Sequence, residues 1–159
     1  MNTLEEIAAI HQLKFRYLRG VDLKLWDLLA STFATDAVSA YDGGKNAYVG
    51  RDAIVAWLRK AMDNHIITMH HVHHPEIELT SATTAKGIWH LEDRVINDGP
   101  ALPEMPAHSI LFGTGYYADE YVKRDGKWQI AMTGYERVYC EIRPFEKADY
   151  FHSRWAARA

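Results

Sequence analysis

The stretch TMHHVHHPEIELTSATTAKGIWHLEDRV, residues 68–95, decides how the rest of the chain is arranged. Its second half alternates. Ala85, Gly87, Trp89, Leu91, Asp93 and Val95 fall on one side of an extended chain, and Lys86, Ile88, His90, Glu92 and Arg94 on the other. Such alternation predicts a β-strand with one buried face. The polar turn Ser81–Thr84 folds it back on a preceding strand over 65–79, bent at His74-Pro75 because proline has no N–H for the ladder. The apolar face carries one carboxylate, Asp93. An ionised carboxylate there is costly unless paired. Asp93 therefore needs a partner: a histidine of the preceding strand, His70 first, or an arginine, Arg94 or Arg137.

Downstream, residues 109–122 and 128–141 read as two long strands joined by an Asp-Gly hairpin turn at 124–127. Residues 97–106 hold three prolines and a glycine and read as a loop over one rim of the sheet. Upstream, Thr3 and Glu6 have the spacing of a capping box. Apolar residues at Ile7, Ile10, Leu13, Phe15, Tyr17 and Leu18 predict a first helix, which Gly20 and Asp22 end. A short helix over 24–33, a strand over 37–41, a tight turn at 42–45 and a helix over 51–62 follow.

Helices followed by long strands give an α+β fold. The expected form is a cone, a curved antiparallel sheet with the N-terminal helices on its concave face, of the cystatin-like kind. Its interior would be a pocket for an apolar ligand. One domain, residues 1–159, is expected, with 143–159 as a tail. Phe145, Tyr150, Phe151 and Trp155 suit that tail to a short helix over the sheet or a neighbouring subunit.

Hydrophobic residues at 48% and charged residues at 25% are ordinary globular composition. A net charge of -3 argues against nucleic acid as a partner. No apolar run approaches the roughly 20 residues that span a bilayer, so no membrane partner is expected. The acidic N-terminus has no secretory pattern, and Cys140 is the one cysteine, which points to a reducing cytoplasm.

The histidine run offers a metal reading. On a regular strand His70 and His74 share one face with Val72, and His71 and His73 the other. Zinc sites take three or four ligands, so no metal is expected. No nucleophile elbow or glycine-rich phosphate loop is present either.

The order helix hairpin, GRDAIVAWL, HHPEI, TTAKGIWHLEDRV and DGKWQIAMTGYERV resembles the nuclear transport factor two-like (SnoaL-like) superfamily, over about residues 7–139. Within it the chain is most similar to bacterial bile-acid dehydratases and, more distantly, scytalone dehydratase. The resemblance implies that Tyr17 and Asp22, near the end of the first helix, reach into the cone, and that Tyr41 does so from the first strand. It implies that His70 is the active histidine and that Asp93 is the aspartate of LEDR. Histidine-rich HHVHHPEI and the loop after Asn97 depart from the pattern.

Read as chemistry, His70 with Asp93 is a base for an acidic C–H, the carboxylate fixing the imidazole tautomer and stabilising imidazolium. Tyr17 would donate to a developing oxyanion. Asp22, Tyr41 and Trp89 would line the substrate site. Asp22 equally suits a cap on the second helix, and Tyr17 a packing role. The expectation is a cofactor-free dehydratase for an apolar, cyclic or polycyclic hydroxy-carbonyl substrate. An isomerase or cyclase using the same proton shuttle is the alternative, as is a non-catalytic binding or assembly module. Leu111, Tyr117 and Tyr121 alternate on one side of a strand and are expected on the outer sheet face, as part of a homotrimer interface, with a homodimer second. Related dehydratases are trimers.

Overall fold

The chain forms α1 (Thr3–Asp22), α2 (Trp26–Thr32), β1 (Phe33–Tyr41), β2 (Asn46–Val49), α3 (Arg51–Ala61), β3 (Ile66–Leu79), β4 (Thr84–Asn97), β5 (Ser109–Arg124) and β6 (Lys127–Pro144). These come from a computed structural model that describes residues 2–146 and 151–155.

Capping at α1 falls one residue earlier than the threonine suggests. The Asn2 side chain accepts the Glu5 N–H, and the Glu5 carboxylate accepts the Asn2 N–H. Glu6 instead takes Lys123 Nζ at 2.7 Å and Trp128 Nε1 at 2.6 Å, tying the helix to the β5–β6 hairpin. Gly20 lets α2 close on α1: a Cβ there would lie 3.0 Å from Leu29 Cβ.

The sheet runs β2-β1-β6-β5-β4-β3. It is curved and unclosed, and with the three helices of the described residues it makes an α+β fold. One join departs from expectation. β1 pairs with β6 in parallel, so the sheet is mixed, and the other neighbours are antiparallel. β2 is a short edge strand that the turn at 42–45 implied and the sequence reading left out.

Facing positions form belts across the inner face. Trp89, Tyr117 and Tyr135 make one. Ala85, Tyr121 and Ile130 make another. Ile10, Leu13, Tyr17 and Leu18 of α1 and Ile54 and Leu58 of α3 close over them. Leu111, Tyr117 and Tyr121 therefore point inward, Tyr117 and Tyr121 each 2% exposed. The sheet is covered on that side, so the outer positions are the even ones, Phe112, Thr114 and Tyr116.

Two charges lie wholly inside. Lys14 Nζ sits 2.7 Å from Asp119 Oδ2, both side chains with no exposure, and 3.4 Å above the Tyr117 ring. Asp119 also accepts Thr133 Oγ1 at 2.7 Å and Tyr121 OH at 2.8 Å. Tyr121 OH in turn accepts Trp89 Nε1 at 2.8 Å. Both Asp119 oxygens have donors, which is what a buried carboxylate requires.

β3 breaks register between His73 and Glu76, with His74 at φ 46. The bend at His74-Pro75 is thus present, and it turns His74 toward His73 and His90 of the outer face, with ring centroids 6.0 and 6.5 Å away. His74 does not share a face with His70. After β6, Phe145 N–H donates to His108 O and the Phe145 ring meets Phe151 edge-on. Residues 151–155 are not helical. The remainder of the tail, including Tyr150, lies outside the described residues.

Candidate active site

Among the described residues β3 is an edge strand, so on one side its N–H and C=O groups have no neighbouring strand. The end of α1 supplies partners there. Lys24, turned out at φ 53, donates from Nζ to Ile66 O at 2.8 Å. Asp22 Oδ2 accepts the His70 N–H at 3.1 Å, and Asp22 Oδ1 lies 2.6 Å from His70 Nδ1. Thr68 Oγ1 donates to that same oxygen at 2.7 Å. Both carboxylate oxygens thus receive donors. With an ionised carboxylate and a neutral imidazole, Nδ1 is the donor to Asp22, and the lone pair is then on Nε2.

This corrects the expected pairing. His70 and Asp93 are direct cross-strand partners on the same face, yet each side chain bonds elsewhere. Asp93 holds Arg137, with Nη1–Oδ1 at 2.6 Å and Nη2–Oδ2 at 2.7 Å. Alternation locates a residue's face, but it says nothing of what reaches over from a helix or across a bare glycine. Asp93 is 4% exposed, and the fork-to-fork geometry is the strong form of this pair. Burial works against the Arg137 charge, and the Asp93 carboxylate more than offsets it, so the guanidinium holds its proton more firmly than usual.

Beyond Arg137 lies a tyrosine cluster. The guanidinium carbon is 5.1 Å from the Tyr135 centroid. Tyr135 meets Tyr117 edge-on at 5.5 Å, and Tyr117 meets Tyr17 likewise at 6.3 Å. The Tyr17 and Tyr41 hydroxyls are 3.1 Å apart, and Tyr41 stacks on Trp57. Burial pushes the Tyr17, Tyr41 and Tyr117 phenols above their ordinary range, so they remain protonated donors. Trp89 stands apart from this line. It is 1% exposed, in the core beneath His11 and Phe15, because its indole N–H is bound to Tyr121 and its face is packed under α1.

A groove of about 430 Å³ runs between α1 and β3 beside the dyad, with Leu18, Asp22, Leu23, His70 and Val72 among its walls. On the opposite face, His90 Nε2 bonds Thr114 Oγ1 at 2.8 Å. Among the described residues no three His, Cys, Asp or Glu side chains are spaced to hold a metal ion.

Sequence reasoning passed over Thr68, Lys14 and Asp119. Lys14 sits four residues after Ile10 and three before Tyr17, on the apolar stripe of its helix. Asp119 interrupts the Tyr117–Tyr121 alternation just as Asp93 interrupts its own. The same signal, a charge on an apolar face, marks Asp93, Asp119 and Lys14, whereas nothing in the pattern marks Thr68.

A family model described as a SnoaL-like domain matches residues 2–133. Among solved structures, a hexachlorocyclohexane dehydrochlorinase (LinA) type 2 is 23% identical, with a TM-score of 0.79 over 92% of this chain and 97% of that one. A candidate scytalone dehydratase from Novosphingobium aromaticivorans is 22% identical, TM-score 0.75, over 92% and 97%. A cystatin-like protein from Caulobacter vibrioides is 18% identical, TM-score 0.70, over 85% and 91%. At these identities the likeness is one of fold.

Proposed function

Because the chain belongs to the SnoaL-like domain family, whose fold is shared by proteins named as a dehydrochlorinase and a candidate scytalone dehydratase, we propose that it is a cofactor-free lyase. The reaction is loss of water from a cyclic or polycyclic hydroxy-carbonyl compound. The observation that carries this reading is the 2.6 Å contact between His70 Nδ1 and Asp22 Oδ1, which leaves Nε2 as an oriented base.

His70 Nε2 takes the proton from the carbon next to the carbonyl. The electron pair moves into an enolate. Tyr17 is 2% exposed, gives its hydroxyl proton to Tyr41 and is not among the groove walls, so it donates to the enolate oxygen only by turning that hydroxyl from Tyr41 toward the groove. Collapse of the enolate expels the β-hydroxyl, which leaves as water with the proton carried by the imidazolium. Asp22 remains ionised throughout and stabilises that imidazolium. Arg137, neutralised by Asp93, gives a fixed dipole beside Tyr135, and Tyr41 accepts the Tyr17 hydroxyl proton until substrate binds. Trp89 supports the wall from behind. An isomerase or cyclase would use the same shuttle without losing water.

The assembly proposed is a homotrimer, through the outer sheet face. That face exposes Met69, Ile88, Tyr116 and Tyr139 at 40–51%, apolar side chains that a partner subunit would cover.

The test is a turnover screen of hydroxy-ketones and hydroxy-steroid thioesters, following the new enone by its ultraviolet absorbance, with His70→Ala as control. Loss of water that disappears in the control supports the lyase. Rearranged product of unchanged mass indicates the isomerase. A signal that survives His70→Ala removes the base assignment.

A further inference from the structure

Asp22 is the hinge of the proposed site, and the structure shows what holds it. Three groups of β3 converge on one carboxylate: the Thr68 hydroxyl and the His70 Nδ1 on Oδ1, and the His70 backbone N–H on Oδ2. Two come from His70 itself. The third, Thr68, is the one independent clamp. It is buried at 9% exposure, two positions before His70 on the same inner face.

Its chemistry is specific. A hydroxyl has one proton, and Thr68 gives it to Asp22, so this bond can only be made with an oxygen that accepts. The His70 N–H makes the same demand of the other oxygen. Together they keep both oxygens as acceptors and oblige Nδ1 to donate. Without Thr68, only His70 would hold the carboxylate. The Asp22 side chain retains 21% exposure, so it could swing toward water, and histidine would be free to carry its proton on Nε2. That tautomer has no lone pair where the base is needed.

We infer that Thr68 is a positioning residue: its hydroxyl locks the Asp22 rotamer and thereby the Nδ1–H tautomer of His70. The turnover consequence rests on His70 being the base, whereas the tautomer consequence does not. The clamp also sits where the helix end replaces a missing strand, next to the Lys24–Ile66 bond. One set of contacts thus closes the sheet edge and orients the proposed base.

The experiment compares Thr68→Val, which keeps shape and removes the hydroxyl, with Thr68→Ser, which restores it. Nitrogen-15 spectra of the imidazoles, with His70→Gln identifying the His70 signals, give the tautomer directly. The native protein should show Nδ1–H at His70. Thr68→Val should raise the Nε2–H share and lower kcat about tenfold with KM little changed, as expected for loss of one hydrogen bond to a charged group. Thr68→Ser should recover most of both. An unchanged His70 spectrum in a folded Thr68→Val protein overturns the inference, even if its stability falls. Should His70→Ala leave turnover intact, the base assignment fails, while the spectra still decide the role of Thr68. If Thr68→Val does not fold, Thr68→Ala, which also lacks the hydroxyl, decides: a raised Nε2–H share supports the inference, and the native tautomer contradicts it.

Discussion

Arg137 reaches Asp93 across Gly113, on the strand between them. A Cβ at Gly113 would stand 2.1 Å from Arg137 Nη1 and 2.9 Å from Asp93 Oδ1. Glycine is required here for space, not for backbone freedom. Gly113→Ala must displace the guanidinium and leave Asp93 buried with a weakened partner. Breaking a buried pair outright costs roughly 3–5 kcal/mol, and the 17% exposure of Arg137 puts this case at the low end. Urea unfolding should show Arg137→Met and Gly113→Ala destabilised in that order, with the double variant less than additive. Additive losses would mean that the glycine serves something else.

Lys14 and Asp119 offer a second stability test, free of any catalytic assumption. Lys14→Met removes the cation and leaves Asp119 held only by two hydroxyls, which should cost on the order of 3–5 kcal/mol. Pairing it with Asp119→Asn should restore part of that loss, because the stranded charge is gone. Chemical denaturation of the two single variants and the double checks the sign of the coupling.

Alkaline pH should unfold the protein through its buried tyrosines. Tyr17, Tyr41, Tyr117 and Tyr121 have phenols raised by burial. In the unfolded chain they ionise near pH 10 while the folded chain keeps their protons. Their contribution is therefore complete below about pH 10 and is lost as pH rises above it. Lys14 acts in the opposite sense, since burial lowers it: the unfolded chain holds more protons below about pH 10.5, so stability rises with pH across that window. Tyr135 is raised by burial in the same sense and Lys24 is lowered like Lys14, so five tyrosines oppose two lysines and the net is a fall. Absorbance at 295 nm should climb in a cooperative step that coincides with loss of circular dichroism above pH 10. A gradual rise with the fold intact would contradict it.

The outer face predicts association. Light scattering at micromolar concentration should return three times the 18.2 kDa chain mass, and Tyr116→Lys with Ile88→Lys should shift it toward one. A single-chain mass for the native protein contradicts the proposed trimer.

Strand alternation from Ala85 to Val95, the bend at His74-Pro75 and the Asp-Gly hairpin were legible because each rests on neighbouring residues. The mixed sheet was not, since the parallel join of β1 to β6 is set by packing between segments nearly a hundred residues apart. The same distinction separates what was legible of the candidate site from what was not. Alternation and the family resemblance brought out His70, Asp93, Tyr17, Asp22 and Tyr41, and Arg137 stood among the partners considered for Asp93. Which carboxylate faces His70 depends on where the end of α1 lands, and no local pattern encodes that.

The central claim is that Asp22, and not Asp93, orients the proposed base. On a substrate found by the screen, Asp22→Asn and Asp93→Asn should therefore be compared in one assay, with His70→Ala and the His70→Ala/Asp22→Asn double variant. Asparagine at 22 can offer N–H where Nδ1 needs an acceptor, so kcat should fall on the order of a hundredfold or more, by analogy with other carboxylate-oriented histidines. Adding His70→Ala should cost little beyond His70→Ala alone, since the two act as a unit. Asp93→Asn should lose stability first and less turnover per folded molecule. Near-native turnover in Asp22→Asn, with a severe loss in folded Asp93→Asn, would contradict the account.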